Sequence, residues 1–402
     1  MRKIIYLIEQ PLDKRNFDRF GIQLWLDGGW DAEAWDLTPW AHPRVWRQFV
    51  ESGRAAKDFA GYVPITSYRD VQARLANARS ATYYVDLTGA GYSSTRVKKR
   101  FAEMGLLRVI LKVAHPLSEE GVSRTLVSRI RKAFDGGVIK ALIARLTQLA
   151  LRWFVAAPPS ADVVVVSGHR GIRTAIAQGD AGKILAGHNL DFDLYRQLAP
   201  LATKPARPYA VFLDQDICFH PDHVAEDVPF YATPEKYFPV LCRGLLRMSA
   251  VRGVDVRIAA HPRSAYQHKS EAYFGGLPVE YGKTPELVRD CEFVVTHWST
   301  AIQFAVLFKK PIVIVTTDEI ASSAGAKFAT EMAEVFGKSA INLDRDLSTV
   351  DWARELTVDV QRYDAYRNEY IKIDGTPNLP LWIIVRNHLE TRGLVQSATA
   401  ET

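Results

Sequence analysis

Short apolar runs alternate along the chain with longer stretches in which apolar residues return at helical spacing, and this pattern predicts an α/β fold. The first run, residues 3–8, is rich in β-branched side chains and continuous in its hydrophobicity, as a strand buried on both faces of a parallel sheet must be. The polar segment 11–19 reads as a loop, and the spacing of residues 20–26 fits a helix. Further strands are expected at 34–37, 82–87 and 107–113, each separated by enough chain for a crossover helix. Residues 162–167, with four consecutive valines, and 183–186 continue the series, the latter ending at Gly187, His188 and Asn189. The stretch 204–208, with Pro205 and Pro208 among charged residues, then interrupts the apolar pattern and reads as a linker. A second series follows: strands at 209–213, 255–260, 292–296 and 311–316, with helices at 237–252 and 284–290. Helical spacing returns around 363–370 and, after a turn at Gly375, Thr376 and Pro377, over 381–389. The expected fold class is therefore α/β, with two Rossmann-like halves, 1–205 and 206–374, and a C-terminal helix and tail, 375–402, packing back across them.

Composition narrows the class. A chain of 402 residues with 48% hydrophobic and 24% charged residues is globular and neither disordered nor fibrous. No apolar run reaches the 18 or so residues of a membrane span, and the first ten residues have too short an apolar core for an export signal, so a cytoplasmic location is expected. The net charge of +6 is too modest to indicate nucleic acid and suits anionic small molecules or an acidic membrane surface. Residues 121–156 concentrate that charge, with Arg124, Arg129, Arg131, Lys132, Lys140, Arg145 and Arg152 set among apolar residues at helical spacing on either side of Gly136 and Gly137. Two basic amphipathic helices of this kind lie on an anionic bilayer or pack on a sheet with their basic face in water. Cys218, Cys242 and Cys291 have no CxxC spacing, which predicts reduced thiols and no zinc site.

Ligands of open α/β sheets bind beyond the carboxyl ends of the strands, so the residues just after each strand carry the candidate chemistry. Four such ends are rich in polar groups: Asp214-Gln215-Asp216, His261-Pro262-Arg263, His297-Trp298-Ser299-Thr300 and Asp318-Glu319. Ser299 and Thr300 open a helix, where hydroxyls and free backbone N–H groups bind a phosphate or, more simply, cap the helix. His261 is placed to donate to the same phosphate or to act as an acid toward a leaving group. Arg263 and His297 suit a donor carboxylate or phosphate, or pairing with a neighbouring Asp. Asp214-Gln215-Asp216 also spells the DxD pattern that holds a divalent cation on a diphosphate, but it stands beyond a complete α/β half and no metal is expected. His220 and His223, flanking Pro221 and Asp222, read as a polar loop with a metal pair as the alternative.

The order of an Asp after a strand, His261-Pro262, Ser299-Thr300 opening a helix, and Lys309-Lys310-Pro311 before a strand resembles the C-terminal half of GT-B glycosyltransferases that use CMP-activated sugars, the bacterial sialyltransferases and Kdo transferases. The resemblance covers residues 209–320 by motif and the rest by architecture. It implies that His261, Ser299 and Thr300 hold the CMP phosphate. It also implies a catalytic carboxylate, either in the N-terminal half, where Asp86 beside Gly89 and Gly91 is the best placed, or at the start of the C-terminal half, where Asp214 and Asp216 stand. Asp214 leads, and its role as base or nucleophile stays open. Residues 15–21 and 370–378 look similar to proteins of surface-polysaccharide gene clusters. The implied function is transfer of a CMP-linked nonulosonate or Kdo to a surface glycan or lipid-linked acceptor, with no cofactor beyond the donor. The first half would bind the acceptor and the second the nucleotide sugar. The rivals are a UDP- or GDP-sugar transferase, for which Glu319 is the one applicant for the ribose, a sugar-nucleotide epimerase, and a two-domain nucleotide- or glycan-binding protein without turnover.

Overall fold

A computed structural model describes residues 2–51, 58–75, 81–113, 158–201, 203–220, 223, 228–264, 266–268 and 272–400. They form two compact units, one drawn from 1–114, 131–190 and 372–402, the other from 191–371. The basic segment 121–156 lies outside the described residues, as do Pro221 and Asp222.

The first unit is built on seven parallel strands in the order β3-β2-β1-β4-β5-β6-β7. β1 (Lys3–Ile8) is buried along its whole length because β2 (Asp31–Asp36) and β4 (Ala81–Leu87) flank it and apolar clusters cover both faces. β5 (Leu107–Lys112), β6 (Val163–Ser167) and β7 (Ile184–Gly187) extend the sheet on one side, and β3 (Tyr62–Pro64) closes the other. β3 escapes the hydrophobic pattern because it is three residues long, and its Pro64 is tolerated at a sheet edge. The segment read as a loop is in part a helix, Lys14–Arg19. Asp13 caps it by accepting from the Asn16 N–H at 2.8 Å, and Phe17 is its one buried side chain, too little for a periodic signal.

The last helix, Leu381–Ala400, belongs to this first unit. It buries Leu381, Trp382, Val385 and Leu389 in the unit's core, and its Trp382 donates to the Arg19 carbonyl at 3.0 Å. Gly21 faces it with φ +57, and a Cβ there would stand 2.3 Å from Trp382 Cδ1, so both backbone and packing demand glycine.

The second unit has six parallel strands in the order β10-β9-β8-β11-β12-β13. β8 (Tyr209–Leu213), β11 (Phe293–Thr296) and β12 (Ile312–Thr316) are buried throughout; β9 (Asp255–Ala259), β10 (Val279–Glu280) and β13 (Ile341–Asn342) lie toward the edges. The helix Pro234–Arg252 packs on one face, and Thr284–Asp290, Ile302–Leu307 and Val360–Tyr366 pack on the other. This unit begins at Asp191, ahead of the proline-rich stretch at 204–208, because Phe192 joins its core. No described helix is long and apolar enough to cross a membrane.

Candidate functional site

In the second unit the chain runs outward from β8 to β9 and β10 on one side, and from β11 to β12 and β13 on the other. The strand order therefore reverses between β8 and β11, and a doubly wound sheet opens a crevice at that point. A cavity of about 320 Å³ lies there, walled among others by Gln215, His261, Trp298, Ser299 and Thr300. Three of the four polar strand ends thus meet at one place.

The end of β8 holds the cavity together from behind. Asp214 is buried, and its Oδ2 accepts from the His261 N–H at 3.1 Å. Its Oδ1 accepts from the Asp216 N–H at 3.0 Å and the Tyr266 O–H at 3.3 Å. Burial pushes the Asp214 carboxyl up to about 6, against the pull of the backbone N–H groups of His261 and Asp216. Asp216 is also buried and takes φ +53, a left-handed turn that few side chains adopt. Gln215, between them, reaches across to the end of β11 and accepts from the Trp298 N–H at 2.9 Å. Neither carboxylate is on the cavity wall, and both Asp214 oxygens accept hydrogen bonds that hold the strand ends around it.

His261 is half-buried on the cavity wall. Its Nδ1 accepts from the Arg263 N–H at 3.3 Å, which leaves the proton of the neutral ring on Nε2. The Arg263 side chain is exposed and is not part of the wall. Ser299 and Thr300 stand on the opposite side, but the short helix beyond them, Ile302–Leu307, keeps most of its first N–H groups for itself. Those of Ile302, Gln303 and Phe304 donate to Ser299, Thr300 and Ala301 carbonyls, and that of Ala301 donates to Ser299 Oγ. The expected free helix terminus is therefore corrected: hydroxyls and the Thr300 N–H remain for a ligand.

His297 is not a ligand group. It is fully buried, its Nδ1 donates to the Val315 carbonyl at 2.7 Å, and its Nε2 accepts from the Tyr237 O–H at 2.9 Å. Burial lowers it to about 4, so the ring is neutral at pH 7. Glu319 is likewise engaged, accepting from the Thr233 N–H at 3.1 Å and hydroxyl at 2.9 Å where the helix Pro234–Arg252 begins, and it is absent from the cavity wall. Among the described residues, no group of three or more His, Cys, Asp or Glu is arranged to hold a metal ion. The wall also contains residues that the strand-end reading passed over, Tyr231, His220 and His223. They lie on the long connection after β8, where only the two histidines gave a signal.

In the first unit, Asp86 at the end of β4 is bound by two cations. Lys98 Nζ lies 2.9 Å from its carboxylate, and Arg108 reaches it through Nη2 at 2.5 Å and Nε at 2.9 Å. Thr88 occupies the other oxygen through its N–H at 3.0 Å and hydroxyl at 2.6 Å. A carboxylate so occupied is a structural tie within the first unit. Asp86→Ala is expected to destabilise the first unit by about 3–5 kcal/mol, because it strands Lys98 buried without a counter-charge. Urea unfolding checks this, and a loss under about 1 kcal/mol would deny Asp86 the role.

No family model matches the sequence, and no curated protein matches it. Similar folds are found among solved structures. The wall teichoic acid polymerase TagF, in a structure soaked with CDPG, superposes with a TM-score of 0.53 at 11% identity, over 98% of this chain and 90% of that one. The fold is GT-B. The UDP-GlcNAc 2-epimerase from Methanocaldococcus jannaschii gives 0.49 at 11% identity, over 97% of this chain and 100% of that one. MurG from Acinetobacter baumannii gives 0.44 at 8% identity, over 96% and 98%. The GT-B fold accounts for both doubly wound sheets and for the final helix that returns to the first unit.

Proposed function

We propose that this protein is a glycosyltransferase that holds the phosphate of a nucleotide-activated sugar in the cavity of its second unit. The observation that carries the reading is the convergence of His261, Ser299 and Thr300 on one cavity at the switch point of a doubly wound sheet. His261 Nε2–H and two hydroxyls donate to phosphate oxygens there, and Trp298 and Tyr231, packed edge to face at 5.5 Å, supply an aromatic wall. In the transfer step an acceptor hydroxyl attacks the anomeric carbon and gives up its proton to water, the bond from that carbon to the phosphate oxygen breaks, the nucleotide leaves with the electron pair, and the hydrogen bond from His261 steadies the charge arriving on its phosphate. His261 and the hydroxyls of Ser299 and Thr300 make one group of donors on this wall, which suits the one phosphate of a CMP-linked nonulosonate or Kdo. The likeness to TagF adds CDPG to the donors worth testing. A surface glycan or lipid-linked acceptor belongs to the same proposal.

The test is thermal-shift binding of CMP, CDP, UDP and GDP, each with and without EDTA. At 100 times the dissociation constant a ligand stabilises by about 2.7 kcal/mol, a rise of several degrees. The expected result is a rise with CMP that survives EDTA and disappears in His261→Ala and Ser299→Ala. A rise with UDP or GDP alone transfers the reading to the UDP- or GDP-sugar transferase or the epimerase, and none with any nucleotide removes it.

A further inference from the structure

Three imidazoles, those of His220, His223 and His261, face the same cavity, and among the described residues its wall includes no Lys, Arg, Asp or Glu. An anionic phosphate placed there meets no permanent cation on that wall. Among the described residues of this wall, positive charge can come from a histidine, the side chain whose charge changes between pH 5 and 8. Building on the donor-site reading above, we propose that His223 takes up a proton together with the phosphate of the nucleotide sugar, so that donor binding at this site is coupled to pH.

The geometry sets His223 apart from His261. Its Nδ1 lies 2.8 Å from the Pro229 carbonyl, and a carbonyl only accepts, so Nδ1 carries the proton of the neutral ring. Nε2 then has a lone pair, and adding a proton there creates a second donor without breaking a bond. His261 is in the opposite position: its Nδ1 already accepts from the Arg263 N–H, and protonation would cost that bond. The rings of His220 and His261 are 4.9 Å apart and those of His220 and His223 6.5 Å, so charging all three at once is opposed by repulsion. A single proton shared with an arriving anion meets no such opposition.

The His223 ring is held in place for the role. It stacks on Phe230 at 5.3 Å and 16° and stands edge-on to Tyr231 at 4.5 Å, leaving the residue 8% exposed. Its main chain donates to the His220 carbonyl at 3.1 Å and accepts from the Val228 N–H at 3.0 Å. The charged groups around the cavity are Asp214 and Asp216 behind His261, Glu319 bonded to Thr233 just beyond Tyr231, and Arg263 next to His261. Asp222, Glu226 and Asp227 of the same loop lie outside the described residues.

Calorimetric titration of the full chain with CMP-N-acetylneuraminate and with UDP-glucose tests the coupling. The phosphates of both are fully ionised across the range used, whereas a nucleoside monophosphate itself titrates near pH 6. Runs at pH 6, 7 and 8 in two buffers of different ionisation enthalpy count the protons taken up. The donor that binds is expected to bring up to one proton with it and to lose about tenfold in affinity from pH 7 to 8. His223→Gln should abolish both the uptake and the slope, and His223→Lys should restore tight binding that is flat with pH. A flat affinity with no proton uptake in the unmodified protein overturns the coupling and leaves the donor site standing. An unchanged uptake in a folded His223→Gln also overturns it. No binding of either donor at any pH overturns the coupling and the donor-site reading together.

Discussion

Replacing His261 by alanine is expected to lower glycosyl transfer by about 10²- to 10⁴-fold, the usual worth of a positioned proton-donating side chain, with no matching loss of stability. The structural reason is that the main chain of His261 ties it into the fold. Its N–H donates to Asp214 and its carbonyl accepts from Ser264, and both bonds survive the substitution. The ring gives up the contact with the Arg263 N–H and its packing 4.9 Å from His220. Turnover of the donor found by thermal shift, read beside the melting temperature of the variant, checks both halves. Full activity in a folded His261→Ala would remove the phosphate role.

His297→Ala should do the reverse, destabilising the second unit by about 3–5 kcal/mol, because it opens a cavity and strands the Tyr237 hydroxyl and the Val315 carbonyl in the core. Its pH dependence is specific. His297 titrates near 4 in the folded unit against 6.5 when unperturbed, so the unfolded chain binds more protons between those values. Stability from this residue is fully present above pH 6.5 and is lost as pH falls toward 4. Asp214 acts oppositely: its folded value near 6 exceeds the unperturbed 3.8, so the folded state binds more protons and its contribution is lost as pH rises from 4 to 6. The two slopes oppose each other over their common range. His297→Ala removes the His297 slope, so the variant should fall further behind the parent protein in stability as pH rises from 4 to 6.5. Urea midpoints at pH 4.5, 5.5 and 7 decide this, and parallel profiles in the variant and the parent protein would contradict it.

The strand-end reading singled out His261, Ser299 and Thr300, which line one cavity, because a parallel sheet delivers the residues after its strands to one edge. It did not foresee the surroundings of Asp86, since the cations that occupy it come from elsewhere: Lys98 on the helix Tyr92–Glu103 and Arg108 on β5. His297 and Glu319 followed the right strands but turn into the protein, toward Val315 and Thr233. Side-chain direction at a strand end depends on partners that sequence spacing does not contain.

The sequence by itself determined the α/β class, two successive sets of buried strands, and a final helix that packs back, because continuous apolar runs and helical periodicity are local properties of the chain. It determined which residues follow each strand for the same reason. Only the tertiary structure decided that β8 and β11 are neighbours, and so that Gln215 reaches Trp298 and the cavity lies between them. It alone made Asp214 a hidden support and set His223 beside His220 on the same wall as His261. These are contacts between segments far apart in sequence, fixed by strand order and by the pairing of buried polar groups, and neither leaves a periodic trace in the chain.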